Sequence, residues 1–245
     1  MHQTADLSGK AAIVFGGSRG IGAAIAVRLA QEGADVALTY ASSPEAAMAT
    51  AKHIEAEGRI ALPLHADSAD AEAVKAAADA AAERFGRLDI AVINAGVLAL
   101  GTIEDAQIAD LDRSLEINLR GVFVAIQAVQ KHMTAGGRII TIGSNTANRA
   151  TAGSSIYGMT KSAVGALVRN VALDLAPRGI TVNNVQPGPI RTDMTRAAID
   201  WLTPRIPLGR IGEPEEVGGL VAYLARPETG YMTGASITID GGMSL

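Results

Sequence analysis

The chain has 245 residues, enough for one large α/β domain or two small ones with a substantial buried core. Hydrophobic residues make up 48% against 19% charged, which excludes disorder as a description of the whole chain. A net charge of −4 with scattered Lys and Arg leaves no basic run to track a phosphate backbone, and the absence of cysteine removes disulfides, thiolate catalysis and cysteine-based metal sites.

The opening MHQTADLSGK lacks the apolar core of a secretory signal. The longest apolar uncharged run, Ile90–Ile103, is interrupted by Asn94 and too short to span a bilayer. A cytoplasmic protein with no membrane, nucleic-acid or metal partner is expected.

In chain order, short β-branched or apolar runs alternate with alanine-rich segments. Ala11–Phe15 reads as the first strand and Ile21–Gln31 as a helix followed by Gly33. Asp35–Tyr40 is the second strand, and Ser43-Pro44 opens a helix over Pro44–Glu57. A strand at Ile60–Leu64 precedes the helix Ala71–Phe85, which Gly86 ends. Next come the strand Leu88–Ile93 and a single long helix over Ile108–His132. The strand Arg138–Ile142 leads to the helix Ser155–Ala176, stopped by Pro177-Arg178-Gly179. The strand Ile180–Val185, the helix Pro214–Leu224 and the strand Ser236–Ile239 complete the chain. This alternation predicts a doubly wound, Rossmann-like parallel sheet of about seven strands with helices on both faces. No linker interrupts it, so residues 1–245 read as one domain.

The turn after the first strand, GGSRGIG, fits two chemistries. Gly16 to Gly20 matches G-x-S-x-G, the elbow that exposes a nucleophilic serine, here Ser18. A hydrolase needs an acid and then a histidine at later strand ends, yet after Ser18 the only histidines are His53, His65 and His132, the first and third inside helical patterns. The alternative is a phosphate cradle. Gly16-x-x-x-Gly20-x-Gly22 eases the turn and brings backbone N–H groups to a helix N-terminus, at the place where open sheets bind ligands.

Further along, Tyr157 and Lys161 stand four apart in a segment whose Val164, Val168 and Leu175 mark an apolar stripe, so one helical turn places them on one face. A nearby ammonium favours phenolate, so Lys161 is expected to lower the Tyr157 pKa for reversible proton transfer. Ser144 follows the strand Arg138–Ile142, placed to donate a hydrogen bond to a carbonyl oxygen. Asn118 falls in the middle of the long helix, where its propensity is poor.

These residues, with the glycine turn and Asn94-Ala95-Gly96, resemble the short-chain dehydrogenase/reductase family from about Leu7 to Gly242, most closely bacterial 3-oxoacyl-carrier-protein reductases and related ketone reductases. The resemblance implies catalytic roles for Asn118, Ser144, Tyr157 and Lys161. It implies that the helix opens locally at Asn118 to hold a water linking Lys161 to solvent. It assigns cofactor contacts to Gly16, Ser18, Arg19, Gly20, Ile21 and Gly22, to Tyr40, Ala41 and Ser42, and to Asn94, Ala95 and Gly96. Pro187, Gly188, Ile190 and Thr192 complete the nicotinamide side, with Tyr157 and Lys161 holding the ribose. Asp67 and Ser68 match the adenine contact, although a helix N-cap for Ala71–Phe85 explains them as well.

NAD-specific dinucleotide folds place an acid at the end of the second strand; Tyr40 stands there instead, and Arg19 is positioned for a 2′-phosphate, favouring NADP(H) over NAD(H). The family commonly has Thr where this chain has Phe15, so a side-chain bracing bond in the turn is expected to be lost. A loop over about 191–210, with Met194, Trp201 and Leu202 and with Arg191, Arg196 and Arg205 nearby, should cover a hydrophobic ketone or carrier-linked acyl substrate. The resemblance also implies a homotetramer. VFGGSRGIGAAI and VQPGPIRTD are similar as well to cyclic-di-GMP-binding biofilm-dispersal proteins, so a nucleotide-binding regulator is the rival reading.

Overall fold

The computed structural model describes residues 7–245; Met1–Asp6, part of the stretch expected to carry no secretory signal, lies outside the described residues. Seven parallel strands form one sheet: β1 (Ala11–Phe15), β2 (Asp35–Tyr40), β3 (Ala61–His65), β4 (Ile90–Ile93), β5 (Arg138–Ile142), β6 (Thr181–Pro187) and β7 (Ser236–Ile239). Their order is β3-β2-β1-β4-β5-β6-β7. Strand order reverses between β1 and β4, so the crevice at their C-terminal ends is the natural ligand site of such a sheet.

The helices are α1 (Gly20–Gln31), α2 (Pro44–Ala56), α3 (Ala71–Phe85), α4 (Ile108–Leu115), α5 (Val122–Val129), α6 (Ser155–Leu175), the single turn α7 (Ile199–Leu202) and α8 (Pro214–Ala225). Every residue of β1 is buried, and successive side chains serve opposite faces. Ile13 and Phe15 pack with Val74 of α3, Ile126 of α5 and Val168 of α6. Ala12 and Val14 pack with Leu29 of α1, Ile54 of α2 and Val221 of α8. Two cores thus clamp the central strands and hold their C-terminal ends in register.

Local chemistry sets the ends of the elements. Asp70 caps α3 by accepting from the N–H groups of Glu72 and Ala73, and Gly86 closes it at φ 75°. The alternative of Asp67 or Ser68 as that cap is therefore excluded. Strand β6 runs on to Pro187 despite its polar letters. The Asn184 amide accepts from Thr141 Oγ1 (2.9 Å) and donates to Ser236 Oγ (3.2 Å), while Asn183 donates to the Met232 carbonyl (2.8 Å).

The expected helix Ile108–His132 is not one regular helix. Between α4 and α5, residues Glu116–Gly121 form a π-helical turn, and Gln130–His132 end it as a 3₁₀ turn. At this wider turn the Asn118 side chain reaches sideways to the Val97 backbone, 21 residues away in sequence. Among the described residues no helix is long and apolar enough to cross a membrane.

Candidate active site

The glycine turn is built by three braces. Asn94 Nδ2, at the end of β4, donates to the Gly16 carbonyl at 2.8 Å, and Thr39 Oγ1 in β2 accepts from the Gly16 N–H at 2.9 Å. Thr50 Oγ1 in α2 donates to the Ser18 carbonyl at 3.1 Å. Thr39 replaces the bracing bond expected to be missing, while Phe15 is 1% exposed and belongs wholly to the core. Gly16 (φ 72°) and Gly20 (φ 54°) occupy left-handed backbone, and a Cβ on Gly16 would lie 2.9 Å from the Ala95 Cα. Residue Gly22 packs under the turn, where a Cβ would collide with the Gly16 carbonyl oxygen, and Ile21 packs beside it on the α1 core. No side chain caps α1, so its first-turn N–H groups face the crevice with the helix dipole behind them.

A buried polar corner stands across the crevice. Asn118 is fully buried; its Oδ1 accepts from the Val97 N–H (2.8 Å), and its Nδ2 donates to the Val97 carbonyl (2.9 Å) and Thr160 Oγ1 (3.3 Å). Thr160 Oγ1 donates to the Tyr157 carbonyl at 2.9 Å. Lys161, 4% exposed, donates from Nζ to the Ile142 carbonyl at 2.9 Å and lies 5.6 Å from the centre of the Tyr157 ring. Burial brings its pKa from 10.5 down to about 8. The Gly96 backbone closes the same corner: a Cβ there would sit 3.2 Å from Asn118 Oδ1 and 3.4 Å from Lys161 Nζ.

Burial pushes the Tyr157 phenol above its ordinary pKa, and a hydrogen bond with Ser144 pulls it only partway back. This corrects the expectation that Lys161 lowers that pKa. The ammonium is bonded to a backbone carbonyl and lies over the ring, so the cost of burying a phenolate dominates. Ser144 Oγ accepts from the Thr146 N–H (3.2 Å) and hydroxyl (2.9 Å), which leaves its own proton available to donate.

The rim is more exposed. Tyr40 stacks edge-on against His65 with centroids 5.5 Å apart, and the His65 ring bonds the Ala41 carbonyl at 2.9 Å; Ser42 is exposed beside them. Arg19 lies 3.5 Å from Asp193. Just past the end of β3, Asp67 accepts from the Ala69 N–H (2.9 Å) and lies 3.6 Å from Arg113, with Ser68 next to it. Pro187 ends β6, the Gly188 N–H donates to the Ile239 carbonyl at 2.9 Å, and Ile190 is buried. Thr192 rests against the glycine turn, 3.2 Å from where a Cβ on Gly20 would be.

The arginines expected to line the substrate loop make short-range contacts of their own. Arg191 pairs with Glu213 at 2.9 Å, Arg196 pairs with Asp193, and Arg205 stacks 4.0 Å over Trp201. As for a serine nucleophile, His132 bonds Asp79 at 2.7 Å, and among the described residues no histidine bonds Ser18. Thr39, Thr146 and Thr160 belong to the site without any motif to mark them. Each is an ordinary letter in its element, and only the side chain's direction reveals its partner.

Residues 16–244 match the family described as enoyl-(acyl carrier protein) reductase. The chain is 42% identical over 96% of its length to an Escherichia coli protein named cyclic-di-GMP-binding biofilm dispersal mediator, covering 97% of that protein. It is 39% identical to a versicolorin reductase of Emericella nidulans, across 96% of both chains. A crystal structure of a short-chain dehydrogenase from Burkholderia cenocepacia in complex with NADP superposes with a TM-score of 0.95 at 47% identity, over 98% of this chain and all of that one. An α/β oxidoreductase fold of the dinucleotide-binding type is thus in hand. The chain belongs to the short-chain dehydrogenase/reductase family.

Proposed function

We propose that the protein is a carbonyl reductase that uses NADPH in preference to NADH and converts an apolar ketone reversibly to a secondary alcohol. The observation that carries the reading is buried Lys161 5.6 Å from the centre of the Tyr157 ring, with the Ser144 hydroxyl acting on the same phenol, in a chain whose glycine turn leads into the uncapped N-terminus of α1. The turn fits the pyrophosphate of a nicotinamide dinucleotide: positive-φ glycines, close backbone approach and a helix N-terminus without a side-chain cap coincide there. Gly16 through Gly22, with Asn94, Ala95 and Gly96, would hold it, and Asp67, Ser68, Tyr40, Ala41 and Ser42 would face its adenosine half. Pro187, Gly188, Ile190 and Thr192 would face the nicotinamide half. When bound, this group supplies or accepts the hydride.

The chain's own residues handle the proton. Ser144 accepts two hydrogen bonds from Thr146 and turns its remaining proton toward the carbonyl oxygen, which gains charge in the transition state. Tyr157 protonates that oxygen. A phenol held protonated by burial is loaded for reduction, which is the direction the raised pKa favours. Lys161 places a buried positive charge near the phenolate that remains, and Asn118 fixes the Val97 loop beside it.

An apolar ketone suits the exposed Met194 and Trp201 of the loop over about 191–210. The enzyme is proposed to act as a homotetramer. A groove of about 650 Å³ lined by Leu115, Leu119, Phe123 and Leu167 runs along α4 to α6, and Leu173 of α6 is 75% exposed. Sedimentation of Phe123→Arg should then give a smaller species than the wild type.

A panel of ketones assayed with NADPH and NADH, beside Tyr157→Phe, tests the reading. Turnover of apolar ketones with NADPH, abolished in the variant, is expected. The second reading, a nucleotide-binding regulator, is favoured by the similarity to the Escherichia coli dispersal mediator. No turnover on any ketone together with tight cyclic-di-GMP binding would replace the first reading with the second.

A further inference from the structure

Gly121 closes the π-helical turn that carries Asn118, with φ −61° and ψ −41°. That backbone suits any residue, and glycine is a poor choice inside a helix. The missing side chain therefore answers a different need. A Cβ at this position would fall inside van der Waals contact of the Ser68 carbonyl oxygen, and 3.3 Å from the Ser68 carbonyl carbon. The obstacle is backbone, which has no rotamer to yield.

Ser68 belongs to the loop between β3 and α3, and both of its neighbours there are gripped by the same stretch of helix. Arg113 of α4 lies 3.6 Å from Asp67 Oδ2, and Arg120 donates to the Ala69 carbonyl at 3.4 Å. Three successive loop residues are thus touched by Arg113, Gly121 and Arg120, and Asn118 lies three residues before Gly121. We propose that Gly121 is a positioning residue for cofactor binding: its bare backbone lets the Asp67–Ala69 loop seat against the catalytic helix, fixing the adenosine end of the site relative to the Asn118 clamp. The inference rests on the proposed function, which assigns the adenine contact to Asp67 and Ser68.

An added methyl would push Ser68 outward and misplace the adenine contact while leaving Ser144, Tyr157 and Lys161 in place. For Gly121→Ala, the Kd for NADPH and for adenosine 2′,5′-bisphosphate should rise about tenfold, the scale of overpacking a tight contact. At saturating NADPH, kcat should change less than about threefold on the same reasoning, and turnover with reduced nicotinamide mononucleotide, which lacks the adenosine, should be unchanged. A merely structural role would instead lower kcat with both cofactors. Should Gly121→Ala fail to fold, Arg113→Gln/Arg120→Gln removes the two flanking contacts from exposed positions. It should raise the KM for NADPH several-fold at constant kcat.

Wild-type affinity for adenosine 2′,5′-bisphosphate in Gly121→Ala, or a fall in kcat without a rise in KM, overturns the inference alone. In the double variant, an unchanged KM does the same. A wild-type protein that binds neither dinucleotide overturns the proposed function and this inference with it.

Discussion

The two banks of the crevice are built differently. On the catalytic bank Asn118, Ser144, Thr160 and Lys161 are all buried, and every one of them is bonded to backbone or to another side chain. On the cofactor rim the charged contacts are exposed: Arg19 and Asp193 are 67% and 55% accessible, and Arg113 and Asp67 are 52% and 42% accessible. Buried, multiply bonded groups hold a fixed geometry, because losing one partner strands another out of reach of water. Exposed ion pairs contribute little individually and can be exchanged. Under the proposed function the first bank would carry the chemistry and the second the choice of cofactor, so substitutions should have large effects on one and small effects on the other.

The largest effect is expected at Tyr157. Tyr157→Phe removes the proposed proton donor but keeps the ring, and general acid catalysis is worth about 10²–10⁴-fold, so kcat for ketone reduction should fall by that factor with little change in Tm. A loss below about tenfold would move the proton donor elsewhere.

Lys161 comes next, with a pH signature. Its ammonium titrates near 8, so kcat/KM for reduction should fall above about pH 8, and in Lys161→Met that limb should vanish along with about 10²-fold of the rate. The linkage has a definite sign. With a folded pKa of about 8 against the ordinary 10.5, the native state binds fewer protons than the unfolded state between those values. Wild-type stability relative to Lys161→Met should therefore rise with pH across that window, by up to about 1.4 kcal/mol per unit, and be flat below it. Chemical denaturation of both proteins at pH 7, 8, 9 and 10 measures this directly.

Most of the architecture was legible because its causes are local and periodic. The β1 pattern is apolar on both faces, Gly86 and the Pro177-Arg178-Gly179 stop end their helices, and the strand–helix alternation leaves few topologies. What escaped depends on where a side chain points. The resemblance implies a local opening of the helix at Asn118, but its form, a π-turn over Glu116–Gly121 with Asn118 bonded to Val97 21 residues away in sequence, is not written in the local pattern. Likewise position and spacing single out Ser144, Tyr157 and Lys161, but the direction of the Tyr157 shift follows from how deeply the fold buries the phenol, which spacing does not carry.

Phe15 shows the same limit, and its variants probe a middle range between the two banks. The ring lies in the core on the α3 side of the sheet, so Phe15→Thr should cost about 3 kcal/mol of stability without adding a brace to the turn. Thr39→Val leaves the Gly16 N–H without its acceptor. It should cost about 1–2 kcal/mol, seen as a Tm drop of about 2–8 °C, and weaken cofactor binding in proportion. If Phe15→Thr instead tightened cofactor binding, the brace would not belong to Thr39.

The smallest effect should appear at Arg19, where the rim is proposed to set the choice of cofactor. Its guanidinium lies at the start of α1, 3.5 Å from Asp193, and no acid stands at Tyr40 to select a ribose hydroxyl. An exposed charge–phosphate contact is worth about 1 kcal/mol, so Arg19→Gln should raise the KM for NADPH about fivefold and leave that for NADH unchanged. Because Asp193 competes for the same guanidinium, Asp193→Asn should act in the opposite direction, lowering the NADPH KM about twofold. Both effects should shrink in high salt, as those of exposed charges do and those of the buried bank do not. Equal turnover with NADH and NADPH in the wild type would remove Arg19 from cofactor selection and leave the rim with no selecting group among the described residues.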